Sequence, residues 1–359
     1  MISPLRYTPA VETIEPDESR TIAELSDVLR SIADTTFKDT GKALRSVHAK
    51  THGLIESELE VLSGLPPTLA QGIFAKPGRY PAFMRLSTIP GDLLDDSVSL
   101  PRGMGLKIVG VPGARLPGSE GDTTQDFVLV NGPAFIAPNA KAFLKNLKLL
   151  AKTTDTAEGA KKVLSAALRG AESLLEKFGG ESPMLKTLGG HPETHILGET
   201  FYSQAALRFG DYIAKIAVAP VSPELTALTG KHVDLDGRPN GLSDAVKDFF
   251  RVHDAAWEIR AQLCTNLEDM PVEDASKIWP EDKSAYVAVA RLTAKTQEAG
   301  SPEKVRAIDD GMAFSPWHGT TDHQPLGSVM RARKDTYEMS ANLRSQRSGC
   351  PIREPARRS

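Results

Sequence analysis

The sequence predicts an α+β fold built around an antiparallel sheet. Three observations carry that expectation. Short β-like stretches, each bounded by glycine or proline, recur at 72–74, 81–87, 103–111 and 126–130. A helical pattern then runs from about 138 to 178, strands return after it and a last helix follows, so helices and strands come in blocks and do not alternate as in a parallel α/β sheet. Finally, Trp257, Ile259, Ala261 and Leu263 alternate with Glu258, Arg260, Gln262 and Cys264, the period of two of a half-buried strand. Several strands in a row imply an antiparallel sheet or half of a barrel.

In chain order, residues 1–20 are rich in proline and acid and read as an extended arm rather than a packed element. Thr21 and Glu24 form a capping box, and Ile22, Leu25, Leu29, Ile32 and Ala33 then make one apolar face of a helix that Gly41 ends. The pattern changes at ALRSVHAKTHG, and the first β-like stretches follow. Between 138 and 178 the apolar helical positions are Phe143, Leu147, Leu150, Val163, Leu164, Ala167, Leu168, Leu174 and Leu175; glycine pairs at 179–180 and 189–190 loosen the chain. Strands at 199–207 and 211–221 meet at Phe209-Gly210, a hairpin signal, and another strand is expected at 285–292. SPWHGTTDHQPLG is a loop; Ser328 caps the last helix, which Gly349-Cys350-Pro351 closes. The division implied is an arm over 1–20, one domain over 21–349 and a tail over 350–359.

With 359 residues, 40% hydrophobic and 25% charged, the chain can bury a large core. Its net charge of -3 gives no basic footprint for nucleic acid and no polybasic membrane patch. Cys264 and Cys350 are too few for a disulfide framework and neither sits in a CxxC, so reducing surroundings, the cytoplasm, are expected. No apolar run approaches the ~18 residues of a membrane span and the first residues hold no apolar signal core, so neither an anchor nor a signal peptide is expected.

The chemistry concentrates in RARKDTYEMSANLR, residues 331–344. On a helix, Arg333, Tyr337 and Arg344 fall within roughly 40° of one another. A guanidinium one turn from a phenol favours the phenolate, the form that binds ferric iron, and tyrosine is a known haem ligand. Taken alone, so short a pattern more often marks an ordinary half-buried tyrosine beside surface arginines. His48 lies in RSVHAK, Arg85 and Ser87 lie two apart in MRLST on one strand face, and Asn131 ends the strand DFVLV. A histidine can take and return a proton near neutral pH and an asparagine amide can donate to a peroxide oxygen, so together they can break an O–O bond over iron. Each also has a plainer reading: a structural histidine, the turn Asn131-Gly132-Pro133, a surface arginine. Arg45 and His48, three apart, would lie on opposite faces of a regular strand, so the backbone must bend or the strand must start between them.

In this order the residues resemble the haem catalase family, through RSVHAK, FMRLST, LPRGMGLKI, DFVLVNGPAFIAPNAKAF, AAWEIRAQL, ASKIWPEDKSAYVAVARL and RARKDTY, over roughly residues 40–345. The resemblance implies a catalase-like antiparallel β-barrel enclosing a haem pocket, flanking helices and a C-terminal helix bearing the proximal tyrosine. It implies haem b with ferric iron, a peroxide substrate reduced through a ferryl intermediate, an organic donor or a lipid hydroperoxide as a further partner, and a homo-oligomer, dimer or tetramer. Residue by residue, it makes His48 the distal acid/base, Asn131 its partner and Ser87 the hydroxyl that orients it. Phe143 and Val47 would line the haem, Tyr337 would be its axial ligand and Arg333 would hold that ligand as phenolate. Arg45, Arg85 and Arg344 match the arginines that bind the propionates.

There are departures. Leu100 stands where the family has a channel aspartate, which implies a wider, more apolar path to His48, and Thr51 replaces a usual glycine. At 359 residues the sequence is shorter than full-length catalases, so no flavodoxin-like domain is expected, and in this it resembles the catalase-related peroxidases, or minimal catalases. The allene oxide synthases, which rearrange fatty-acid hydroperoxides on the same fold, have threonine at the position of Val47, and they are the alternative. A non-catalytic haem carrier is a second alternative that would not need His48, Ser87 and Asn131 together. A haem-free barrel with an apolar ligand leaves the three arginines unexplained. His52, His191, His195, His232, His253, His318 and His323 have no metal-ligand spacing and read as surface or structural. A bound nicotinamide is not legible.

Overall fold

The computed structural model describes residues 3–151, 191–349 and 351–355. The first helix, α1 (Glu18–Thr40), buries Leu25, Leu29, Ile32 and Ala33 along one stripe, as the spacing predicts, and ends at Gly41, whose φ of 66° makes it a left-handed cap. It starts four residues earlier than the capping box suggests, at Glu18 and not Ile22. The Thr21 hydroxyl donates to the carbonyl of Asp17 at 3.1 Å, inside the first turn, so Asp17 and not Thr21 stands at the helix entrance.

Nine strands follow among the described residues: β1 (Thr51–Val61), β2 (Arg79–Thr88), β3 (Arg102–Val109), β4 (Thr124–Val130), β5 (Phe201–Tyr202), β6 (Leu207–Phe209), β7 (Tyr212–Pro220), β8 (Ala255–Leu263) and β9 (Val287–Ala294). The sequence reading misses β1, because Glu56, Glu58 and Glu60 lower its β propensity, although they alternate with the buried Ile55, Leu59 and Val61. It places a strand at 72–74, where the Ala75 amide instead closes a 3₁₀ turn onto the Gly72 carbonyl at 3.1 Å. The strand expected over 199–207 is broken into β5 and β6 by Gln204, at φ 61°. The Phe209-Gly210 hairpin forms as predicted, pairing Phe209 with Tyr212.

All pairings are antiparallel, in the order β5-β4-β3-β2-β1-β9-β8-β7-β6, and β5 also pairs with β7, which closes eight strands into a barrel with β6 beside β5 on the edge of β7. Its interior is filled by side chains from opposite walls, among them Ile55, Met84, Leu106, Phe201, Ile216 and Trp257.

Three helices cover one side: α1, α2 (Ala140–Ala151) and α4 (Ser328–Ser348), packed through Leu25, Leu29, Ile32, Leu144, Leu147 and Ala332. A further helix between them in sequence, α3 (Gly241–Phe250), which the sequence reading omits, buries Leu242, Val246, Phe249 and Phe250. The predicted helical positions beyond 151 lie outside the described residues. Arg331, in the first turn of α4, fixes that helix by donating to Glu18 (2.6 Å), Glu12 (2.6 Å) and Glu273 (2.9 Å), which joins the N-terminal arm, α1 and a loop to one guanidinium. Contrary to the expectation of an unpacked element, the arm packs Leu5, Tyr7 and Val11 on Cys264, Met270 and Trp279, because these apolar side chains interrupt its prolines and acids. Ser328 does not cap α4; its hydroxyl accepts from the Ala140 amide at 3.2 Å and ties α4 to the start of α2. Gly349, at φ 64°, ends α4 as expected. No described helix is long and apolar enough to cross a membrane.

Candidate active site

Strand parity sorts β2 and β3 into two faces. Met84, Leu86, Met104 and Leu106 turn into the barrel core, while Arg85, Ser87, Gly103 and Gly105 turn the other way and line a cavity shared with α1 and α4. Two cavities lie there, of about 80 Å³ and about 420 Å³, and both are lined by Leu29, Val47, His48, Thr336 and Tyr337. The barrel thus provides one wall of the site and the helices the other.

His48 is placed by the chain just before β1. Its φ of 56° is left-handed, uncommon for a residue with a side chain, and its amide donates to the Ile89 carbonyl at 2.7 Å. The bend that the Arg45–His48 spacing demands is therefore at His48 itself, ahead of the strand. Nδ1 lies 3.1 Å from Ser87 Oγ, within hydrogen-bond reach. Gly103 makes room for the ring, since a Cβ there would fall 2.4 Å from His48 Cε1. Ser46 pins the segment to α4, its amide and hydroxyl both 3.2 Å from Ser340 Oγ. Burial, then the charges of Arg85, Arg333 and Arg45, push the His48 pKa down to about 3, so the imidazole is neutral at ordinary pH.

This has a stability consequence. Burial also lowers His195, to about 4, and His323, to about 3. In each case the folded value lies below the ordinary ~6.5, so the unfolded chain binds more protons between the two, and stability present above pH ~6.5 is lost as the pH falls toward the folded values. Each histidine removes up to ~1.4 kcal/mol per pH unit in that window. Urea midpoints should fall clearly from pH 7.5 to pH 5; an unchanged midpoint would mean that these rings are not buried neutral.

Tyr337 is half-buried and opens on both cavities. Arg333, one turn before it, sits 5.5 Å over the Phe135 ring with Nη1 3.5 Å from Met330 Sδ, and makes no hydrogen bond to the phenol among the described residues. Phe135 in turn meets Phe143, ring centroids 4.9 Å apart, and both line the larger cavity.

Arg45, Arg85 and Arg344 come together at the smaller cavity. What gathers them is Asp309, which no motif marks: its Oδ1 accepts from Arg45 Nη1 (2.5 Å) and Arg85 Nε (2.7 Å), and its carbonyl accepts from Arg45 Nη2 and Arg344 Nη1, both at 2.9 Å. Burial would raise the Asp309 pKa, but Arg85 and Arg45 and the Thr51 hydroxyl hold it far below the usual carboxylate range. Burial brings Arg344 down to about 10.

Asn131 lines the larger cavity with its side chain fully engaged. Nδ2 donates to His191 Nε2 (2.7 Å) and Glu199 Oε2 (2.9 Å), and Oδ1 accepts from the Arg102 amide (2.8 Å). His191, read from sequence as surface or structural, is buried and faces this cavity, as does Glu199; neither carries a spacing that would have revealed it. Leu100 is buried, its carbonyl accepting from Arg102 Nη1 at 2.9 Å, and its neighbour Pro101 lines the cavity. The acid at this wall comes from position 199, not 100. Gln204 shapes the same wall, donating to the carbonyls of Gly132 (3.1 Å) and Ala134 (2.6 Å).

These residues fit a ferric haem. Arg344 Nε is buried with no hydrogen-bond partner among the described residues, a donor left over for an anion at the arginine end, and the larger cavity is of the ~300–1,000 Å³ size that holds small ligands.

No protein-family model matches the chain, and no curated protein matches it in sequence. Solved structures do. A fungal catalase is 17% identical with a TM-score of 0.58, over 90% of this chain and 66% of that one. Catalase A from Saccharomyces cerevisiae is 16% identical with a TM-score of 0.57, over 87% and 63%. A bacterial catalase is 15% identical with a TM-score of 0.55, over 98% and 66%. The chain spans just under two thirds of the length of these proteins. At such identities the likeness is one of fold: this is a catalase-like β-barrel with flanking helices.

Proposed function

We propose that the protein binds haem b in the cavities that His48 and Tyr337 share and reduces hydrogen peroxide or organic hydroperoxides, as a peroxidase with residual catalase activity. The observation that carries the reading is a half-buried, neutral His48, held by Ser87, that shares both its cavities with the Tyr337 phenol and stands near three clustered arginines. Tyr337 would bind the iron, Arg45, Arg85 and Arg344 the propionates, and Val47, Phe135 and Phe143 the faces of the ring. When bound, the haem supplies the redox-active iron over which an O–O bond is broken.

The rest is the work of the chain's own side chains. With Nδ1 engaged by Ser87, Nε2 of His48 is the atom free to take a proton from one peroxide oxygen and return it to the other. The leaving oxygen then departs as water or, from an organic hydroperoxide, as an alcohol. Asn131 fixes the polar corner through His191 and Glu199, and the apolar remainder, with Leu25, Leu147, Val329 and Ile136, suits an organic substrate. That apolar volume is also what favours the second reading, rearrangement of a fatty-acid hydroperoxide.

A side-by-side assay separates them: oxygen evolution from hydrogen peroxide, oxidation of a one-electron aromatic donor, and turnover of a fatty-acid hydroperoxide without a donor. Donor oxidation with weak oxygen evolution is expected. Vigorous oxygen evolution without donor oxidation would make it a catalase, and donor-free turnover of the lipid would make it a rearranging enzyme.

A further inference from the structure

The arginine end of the site contains more than its cations. Seen from the smaller cavity, Arg45, Arg85 and Arg344 are in front, and Asp309, which does not line the cavity, stands behind them. Its Oδ1 bridges Arg45 and Arg85 at 2.5 and 2.7 Å, and Oδ2 accepts from Thr51 Oγ1 at 2.6 Å, whose oxygen in turn accepts from Arg85 Nη2 at 2.6 Å. The Asp309 and Met312 carbonyls take the η nitrogens of Arg344, each at 2.9 Å, and also Arg45 Nη2. The carboxylate is delivered by a π-helical turn, Val305–Asp310, a rare backbone form that is frequent at functional sites. Three guanidiniums gathered this closely repel one another, and their long side chains would otherwise turn to water.

We propose that Asp309 is the positioning residue of this cluster: it holds Arg45 and Arg85 from behind, keeps their forward edges turned to the cavity, and trims the three positive charges to a net of two, matched to a ligand with two carboxylates. The inference rests on the reading that the cluster receives the haem propionates. It assigns Asp309 no contact with the ligand. Its contribution is to order two flexible cations before the ligand arrives, which otherwise has to be done at the expense of binding.

The test is a titration of the haem-free full chain with haem and with haem dimethyl ester, in the parent and in Asp309→Ala and Asp309→Asn. The parent should prefer the diacid. Both variants should bind the diacid about tenfold or more weakly, the scale of ordering two rotamer-rich side chains, with the ester little changed. Formate should restore diacid affinity to Asp309→Ala, compared with chloride at equal ionic strength, and Asp309→Glu should retain most of it. A fold defect alone would weaken the diacid and the ester alike and would not respond to formate. If the parent prefers the diacid and the variants bind it as tightly or more tightly, the inference fails alone: Asp309 is then a bystander or a competitor. If the parent shows no preference for diacid over ester, the propionate reading fails and takes this inference with it.

Discussion

Replacing His48 with alanine should slow the reaction with peroxide by ~10²- to 10⁴-fold, the usual contribution of a positioned acid/base, with haem still bound. The size follows from the lack of a substitute. Asn131 has both amide hydrogens committed to His191 and Glu199, and Ser87 faces Nδ1 of the ring rather than offering a proton acceptor of its own. With its pKa near 3, His48 should also stay in its accepting form through the whole range from pH 5 to 8, so the rate assigned to it should be flat there. Ser87→Ala, which frees the ring but keeps it, should lose less. Stopped-flow mixing with hydrogen peroxide reads all three; a His48→Ala protein as fast as its parent would remove the histidine from the mechanism.

Tyr337→Phe should have the second large effect, on the cofactor rather than on the proton. The change deletes one oxygen and keeps the ring. It should leave α4 in place, because that helix is fixed by Arg331 on Glu12, Glu18 and Glu273 and by Ala332 in the helical core. Haem content should fall well below that of the parent, or the Soret band should move strongly, while the unfolding midpoint of the haem-free protein changes little. An unchanged Soret band would take the axial role away from Tyr337.

Much of this was legible in the sequence, for physical reasons that can be named. Period-two alternation exposed β8, a Phe-Gly hairpin exposed the β6–β7 turn, and glycines marked the ends of α1 and α4. The proximity of His48, Ser87, Tyr337 and the three arginines was implied by the resemblance to the haem catalases and not by any one motif, and the folded chain does bring them around two adjoining cavities. What was not legible depends on long-range packing. The strand β1 hides behind glutamates whose outward direction is set only by its neighbours β2 and β9. The bend at His48 is a single left-handed residue with no glycine to announce it. Asp309, His191 and Glu199 are separated from the groups they serve by 224, 60 and 68 residues, and no local pattern records such a pairing.

The central claim is that Tyr337 would hold a haem as phenolate in the cavities it shares with a neutral His48. The most direct measurement is a titration of the haem-free protein with ferric haem, followed by resonance Raman spectroscopy of the product. The account predicts saturation at one haem per chain and a ferric–phenolate vibration that disappears in Tyr337→Phe. Binding without a stoichiometric end point, or a spectrum without the phenolate signature that is the same in Tyr337→Phe, would contradict it.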